Sequence, residues 1–92
     1  MTQTIWKFDI EVSDIQQIKM PQLAELLSVQ VQHGAVCIWA LINPDNPIVD
    51  RNIIMSGTGH DLSDRLLGKF LGTVQFPDDD DLVFHVFDGG EG

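Results

Sequence analysis

The chain has 92 residues, 43% of them hydrophobic, and it carries 14 acidic residues against 5 basic ones, for a formal net charge of −9. This length predicts a single domain over residues 1–92, and the negative charge disfavours direct binding to nucleic acid or to an anionic membrane surface. One cysteine excludes an intramolecular disulfide, no apolar run approaches the ~20 residues that span a bilayer, and no signal peptide is evident, so we expect a cytoplasmic protein.

The first predicted strand covers residues 4–12, where apolar and polar side chains alternate. Trp6 and Val12 fall on its apolar face, so both are expected in the core, and Trp39 lies at a similar core-compatible position further along the chain. A weaker strand over residues 15–20 follows.

Residues 27–43 predict a central β-hairpin around which the other strands are arranged. In its first half every second side chain is apolar, beginning with Leu27, which is typical of a strand with one buried face. His33 and Gly34 suit the tight turn because both enter the left-handed region more readily than most residues. Residues 35–42 are apolar on both faces, as expected within a sheet.

A short helix is predicted after the next strand, which covers residues 50–56. Asp61 is suited to cap the helix, Asp64 lies in its first turn where the helix dipole favours an acid, and Gly68 can close it.

The last two strands are predicted at residues 69–76 and 82–87, on either side of an exposed turn at residues 77–81. Residues 88–92 have no side chain to anchor them and are expected to fray. The predicted fold is therefore all-β: a small antiparallel sandwich or partly open barrel of six to seven strands with one short helix.

A candidate ligand site lies between residues 50–56 and the predicted helix. Its two glycines allow backbone N–H groups to converge, and a helix N-terminus adds partial positive charge, which suits a phosphate or carboxylate. No lysine follows the second glycine, so the segment is not a Walker loop. The alternative is a turn in which glycine serves backbone geometry alone. The predicted ligand-binding residues are Ser56, Gly57, Thr58, Gly59, His60, Arg51 and Arg65.

Four consecutive aspartates form a second candidate site. A run of like charges is commonly a solvated turn, and the spaced ligands of a calcium loop are missing. Such a run can also offer a basic protein a charge pattern like that of nucleic acid. The predicted protein-partner residues of this alternative are Asp78, Asp79, Asp80 and Asp81.

Neither catalysis nor metal binding is expected. Cys37 lies in an apolar strand without an adjacent base, which predicts an inert thiol. His33, His60 and His85 do not form the close ligand pair of a metal site, and His85 is expected to be a hydrogen-bonded histidine within a sheet. No serine nucleophile is marked by flanking glycines. We predict no enzyme activity, no metal and no cofactor.

Five segments spread from one end of the chain to the other carry a family resemblance: Thr4-Ile5-Trp6-Lys7, Leu27-Ser28-Val29-Gln30-Val31-Gln32, Trp39-Ala40-Leu41, Gly57-Thr58-Gly59-His60 and Leu82-Val83-Phe84-His85-Val86-Phe87. They resemble a family of small proteins of unknown function found mostly in bacteriophage and prophage genomes. The resemblance implies a phage-type accessory protein in the host cytoplasm. Small phage accessory proteins often occupy a host protein surface or a nucleotide signal of host defence, an analogy independent of fold.

The predicted function is non-catalytic binding that sequesters a small anionic, nucleotide-like ligand at the glycine-containing segment, with a counter-defence role. The alternatives are an acidic inhibitor or nucleic-acid mimic that binds a basic host protein, and a structural or assembly accessory without a small ligand. A small domain with a half-exposed sheet gains from self-association, so a homo-oligomer is also expected.

Overall fold

The computed structural model describes residues 2–92, except for the side chains of residues 79–81. All pairings between its strands are antiparallel. The strands are β1 (Thr4–Ile10), β2 (Ile15–Pro21), β3 (Glu25–Gln32), β4 (Ala35–Ile42), β5 (Ile48–Gly57), β6 (Lys69–Phe76) and β7 (Asp79–Glu91).

The seven strands form two sheets. Sheet A has the order β1-β4-β3, and sheet B has the order β2-β5-β7-β6. The all-β antiparallel architecture agrees with the sequence, but the predicted fold is wrong in its helix, because the described residues contain none. The sheets are also not closed into a barrel. No described segment forms a helix long and apolar enough to cross a membrane.

Residues 58–68 form a loop in place of the predicted helix. The Asp61 side chain does form hydrogen bonds with a residue that follows it: its Oδ1 accepts the Ser63 N–H at 2.9 Å and the Ser63 hydroxyl at 2.6 Å. These bonds close a local turn, and a further turn is closed by the Arg65 N–H and the Leu62 carbonyl at 3.1 Å. Starting a helix fixes several residues for its first hydrogen bond, so a segment this short stays in side-chain-capped turns.

The central hairpin is confirmed, with one correction. His33 and Gly34 form its turn with φ angles of 53° and 79°, and β4 is the middle strand of sheet A. The register of β3 against β4 shifts between Leu26 and Ser28. Leu27 is the extra residue of this bulge and is 44% exposed, whereas Leu26 is buried, so the prediction that Leu27 faces the core is wrong.

The core lies between the two sheets and takes side chains from both. On β1 only the carboxyl-terminal end reaches it: Ile10 is buried, but Trp6 is 41% exposed, and Val12 lies beyond the strand and is 53% exposed. The predicted core positions of Trp6 and Val12 are therefore wrong. The buried apolar cluster comprises Ile10, Met20, Ala24, Leu26, Val29, Val36, Ile38, Ala40, Ile42, Ile53, Met55, Val74 and Val86.

The carboxyl-terminal segment differs from the frayed tail that the sequence suggests. β7 continues to Glu91, which pairs with Arg51 of β5, and Gly90 pairs with Asn52. The Glu91 carboxylate accepts the Leu23 N–H at 2.8 Å, which ties the end of the chain to the β2–β3 connection. Backbone pairing and the Glu91 carboxylate thus hold a segment that has no apolar side chain of its own.

Candidate binding site

The predicted glycine-containing segment stands at the end of β5. A turn begins at Gly57, whose carbonyl accepts the His60 N–H at 3.4 Å, and Gly59 has a φ of 88° within it. The His60 ring lies directly against Gly57, because a Cβ added there would be 3.2 Å from His60 Cε1. Glycine at residue 57 therefore allows the imidazole to fold back over the strand end.

A shallow cleft of about 110 Å³ opens beside this turn. Sites for drug-sized ligands measure roughly 300–1,000 Å³, so this cleft can take a functional group and not a whole nucleotide. One wall comes from the β1–β2 connection, a second from the end of β5 with His60, and Phe84 of β7 completes the lining. The lining residues are Val12, Ser13, Asp14, Met55, Ser56, Gly57, His60 and Phe84.

The structure brings three of the predicted ligand residues together in this cleft: Ser56, Gly57 and His60. Ser56 is 3% exposed, whereas His60 is open to solvent. Thr58 is turned toward β7, and Gly59 forms the turn without lining the cleft.

Arg65 lies at the rim of the cleft, where its charge is already matched. Its Nη2 is 3.2 Å from the Asp14 carboxylate, and its Nη1 donates to the Met55 carbonyl at 3.3 Å. Asp14 and Met55 both line the cleft, so Arg65 clamps the β5–β6 loop onto the β1–β2 connection. An anion that enters would have to compete with Asp14 for this guanidinium.

Arg51 is not part of the cleft. Its Nε and Nη2 donate to the two carboxylate oxygens of Asp88 at 2.8 and 2.6 Å, and its Nη1 donates to the Ala24 carbonyl at 2.7 Å. The hydrogen bonds to Asp88 raise the pKa of Arg51 despite its burial. Burial alone would raise the pKa of Asp88, but hydrogen bonds from Arg51 and the Gly90 N–H outweigh it and lower that pKa. Arg51 is therefore a structural cation.

His85, on the adjacent strand, uses both ring nitrogens. Nε2 is 2.7 Å from the Thr58 hydroxyl, and Nδ1 is 2.9 Å from the Thr73 hydroxyl. The prediction of a hydrogen-bonded sheet histidine is confirmed. The pairing of His85 with Thr73 follows from the strand register, which the sequence does not reveal.

Cys37 is buried, and its Sγ donates to the Asp9 carboxylate at 3.2 Å. Burial raises the pKa of this thiol. Asp9 raises the pKa further, because its carboxylate accepts the thiol hydrogen and would repel a thiolate. The predicted inert thiol is consistent with this setting. Within the described part of the chain, no three His, Cys, Asp or Glu side chains converge as metal ligands.

One end of the molecule collects most of the acidic residues; we call it the acidic end. Strand directions place four connections there: β1–β2, β3–β4, the start of β5–β6, and β6–β7. These connections and the adjoining start of β7 carry eight of the fourteen acidic residues, and Arg65 is the one basic residue within them. The acidic residues are Glu11, Asp14, Asp61, Asp64, Asp78, Asp79, Asp80 and Asp81.

The predicted aspartate run belongs to this end. Asp78 is exposed in the two-residue turn it forms with Pro77, and β7 begins with the next residue. The backbone of Asp79, Asp80 and Asp81 thus starts a strand, while their side chains lie outside the described part of the structure. Asp61, near the same end, has its pKa lowered by the Ser63 hydroxyl and the Ser63 N–H.

Comparison with protein-family models identifies the family of the chain. The model of a family described as Domain of unknown function (DUF7352) matches residues 1–92. No curated protein and no solved structure matches the chain. The resemblance to a family of unknown function is thereby confirmed in its coarse form, and the phage setting stays a prediction.

Proposed function

Since the chain belongs to the family described as Domain of unknown function (DUF7352), we propose its function from its own geometry: it is a non-catalytic binding protein whose acidic end occupies a basic surface of a partner protein. The observation that carries this proposal is the convergence of eight acidic residues on one end of the sandwich.

Charge pairing within the fold strengthens the contrast between the two ends. Three of the five cations are bound to carboxylates: Lys19 to Asp50, Arg51 to Asp88 and Arg65 to Asp14. Lys69 begins β6 at the opposite end of the molecule, and the Lys7 side chain donates to Gln32 beside the β3–β4 connection. The field at that end is therefore set by carboxylates, which speed association with a basic surface and favour it over an acidic one.

A surface of this kind can replace nucleic acid on a basic protein, because carboxylates can occupy positions that otherwise contact phosphates. The proposal includes a phage-type accessory role, a counter-defence role and residence in the host cytoplasm. Inhibition would follow from occupancy alone and needs no catalytic group in the chain.

The experiment that tests the proposal compares three immobilised baits for capture of basic proteins from the cytosol of the source cell. The first bait is wild type, the second carries Asp64→Asn with Asp78→Asn, and the third carries Glu25→Gln with Asp45→Asn at the opposite end. All four positions are exposed, and both variants remove two charges. We expect a basic protein captured by wild type and by the third bait, and several-fold less by the second. Equal capture by all three baits would contradict the proposal.

A second candidate function is sequestration of a small anionic, nucleotide-like ligand. The observation in its favour is the convergence of Ser56, Gly57 and His60 on one cleft. A phosphate could meet hydroxyl and imidazole donors there, while the remainder of the ligand lies on the surface. The engagement of Arg51 with Asp88 and of Arg65 with Asp14 removes the cations expected to hold it, so the acidic-end proposal is favoured.

Thermal denaturation with nucleotides, cyclic nucleotides and nucleotide sugars tests this second candidate. A ligand that binds only the folded chain raises the melting temperature by mass action. A stabilisation that His60→Ala abolishes, and that Asp64→Asn with Asp78→Asn preserves, would favour the cleft over the acidic end. No stabilisation by any compound would reject the nucleotide function.

A further inference from the structure

The outer edge of β1 is an unpaired strand edge of regular geometry. β1 pairs with β4 on one side only, without a register shift from Thr4 to Ile10. Of the other three edge strands, β3 and β6 contain register shifts, whereas β2 pairs without a shift but ends at Pro21. Bulges and prolines at an edge prevent further pairing, so β1 is the edge best suited to accept another strand.

β1 also leaves apolar side chains in water on both faces of the sheet. Ile5 is 54% exposed on one face, and Trp6 is 41% exposed on the other. Trp6 packs only against its neighbour Phe8 among the aromatic rings, with ring centroids 6.4 Å apart. A strand added at this edge would cover part of both side chains.

We propose that two copies of the chain pair antiparallel along β1, with Phe8 opposite Phe8 of the second copy. This register places Lys7 opposite Asp9 of the second copy, and it does so twice because the pair has twofold symmetry. Trp6 then faces Ile10 of the second copy on the apolar side. The two sheets A become one six-stranded sheet.

Several registers leave the Trp6 faces of both copies on the same side of the joined sheet. Charge favours the one centred on Phe8. A pair centred on Lys7 would place the two lysines opposite each other, and directly opposed like charges destabilise a sheet. The pair centred on Phe8 instead gives two opposite-charge pairs. A lysine on an edge commonly prevents pairing. In this register, however, each Lys7 lies opposite the Asp9 carboxylate of the second copy, so its charge favours the pairing.

The present contacts of Lys7 permit this change. Its Nζ donates to the neutral Gln32 side chain at 2.9 Å, and none of the described carboxylates lies within ion-pair distance of it. Antiparallel pairing also points the two acidic ends in opposite directions, since β1 runs toward the acidic end in each copy. The main charge repulsion between copies is thereby kept at the far ends of the dimer.

Sedimentation equilibrium of the full chain, from micromolar to several hundred micromolar, tests the proposal. Pairing along one short strand buries less than the roughly 1,200 Å² of a stable interface, so we expect a weak, concentration-dependent dimer.

Two single variants test the register. Lys7→Glu and Asp9→Lys should each raise the dissociation constant about tenfold or more, because each substitution creates two pairs of like charges across the dimer. Mixed one to one, the two variants should form a heterodimer, since the introduced glutamate of one chain then meets the introduced lysine of the other. Lys69→Glu on β6 is the control with the same charge change and should dimerise like wild type.

The outcomes separate self-pairing from its alternatives. A wild-type chain that stays monomeric throughout the concentration range would overturn the proposal, as would dimers that persist in both single variants. Failure of the one-to-one mixture to associate, with both variants folded by circular dichroism, would overturn the register. Protection of β1 amides from hydrogen exchange only when another protein is bound would assign the edge to a partner strand and reject self-pairing.

Discussion

Val29 of β3 packs over Gly72 of β6 so closely that a Cβ at residue 72 would lie 2.8 Å from Val29 Cγ1. The two residues belong to different sheets, and Val29 and Val74 of the same neighbourhood are both buried. The absence of a side chain at residue 72 therefore sets how near sheet A can approach sheet B at this edge.

Gly72→Ala is expected to lower the free energy of unfolding by about 1–3 kcal/mol, the usual cost of overpacking a core. Val29 is branched at Cβ and cannot rotate away freely. Urea unfolding followed by tryptophan fluorescence measures the loss. Val29→Ala should cost less in the Gly72→Ala chain than in wild type, because it then relieves a clash. Additive effects of the two substitutions would show that the contact is not tight.

Removal of one member of the Arg51–Asp88 pair should be strongly destabilising. The side chains are 11% and 13% exposed, and loss of one partner leaves the other charged and poorly solvated. Arg51→Ala is expected to cost about 3–5 kcal/mol. Lys19→Ala is the control, since Lys19 is 73% exposed in its pair with Asp50 and should cost less than about 1 kcal/mol. Similar losses in both variants would contradict a structural role for Arg51.

The same pair predicts how stability depends on pH. The folded-state pKa of Asp88 lies below its ordinary value of 3.8, so its contribution is complete above that value and is lost as the pH falls through the folded-state pKa. Urea midpoints of wild type and Asp88→Asn should differ at about pH 7 and converge toward about pH 2. Asp88→Asn lacks the titrating group and isolates this effect from that of the other carboxylates. A constant difference between the two chains would contradict the lowered pKa.

Cys37 should react slowly with thiol reagents in the folded chain. It is 1% exposed, and both burial and the Asp9 carboxylate raise its pKa, which leaves little thiolate. Reaction with a disulfide reagent at about pH 8 is expected to be at least tenfold slower than in urea-unfolded protein. Asp9→Asn removes the neighbouring charge and should speed the reaction of the folded chain. Equal rates in the folded and unfolded states would show that the thiol is accessible.

The sequence predicts local features of the fold better than it predicts positions set by pairing. Alternation and turn chemistry are local, so the strands and the turn at His33 and Gly34 could be identified. The bulge at Leu27 depends on the register with β4, and the continuation of β7 to Glu91 depends on pairing with β5. Neither leaves a periodic signal in its own segment.

The candidate sites show the same division. Ser56, Gly57 and His60 are close in sequence and share one cleft, as expected of a single turn. Arg51 is also close in sequence, but its side chain leaves β5 toward Asp88 of β7, a residue 37 positions away. The acidic end could be recognised only once strand directions showed which connections lie together. Its parts are separated in sequence by whole strands.

Binding by the acidic end is tested most directly by an NMR titration with a lysine-rich peptide. Backbone amide shifts of the wild-type chain would be followed as the peptide is added at low salt. We predict shifts concentrated in residues 11–14, 58–65 and 76–82, weakened by salt and by Asp64→Asn with Asp78→Asn. Shifts spread over both ends, or centred on Glu25 and Asp45, would contradict the proposal that this end is the binding surface.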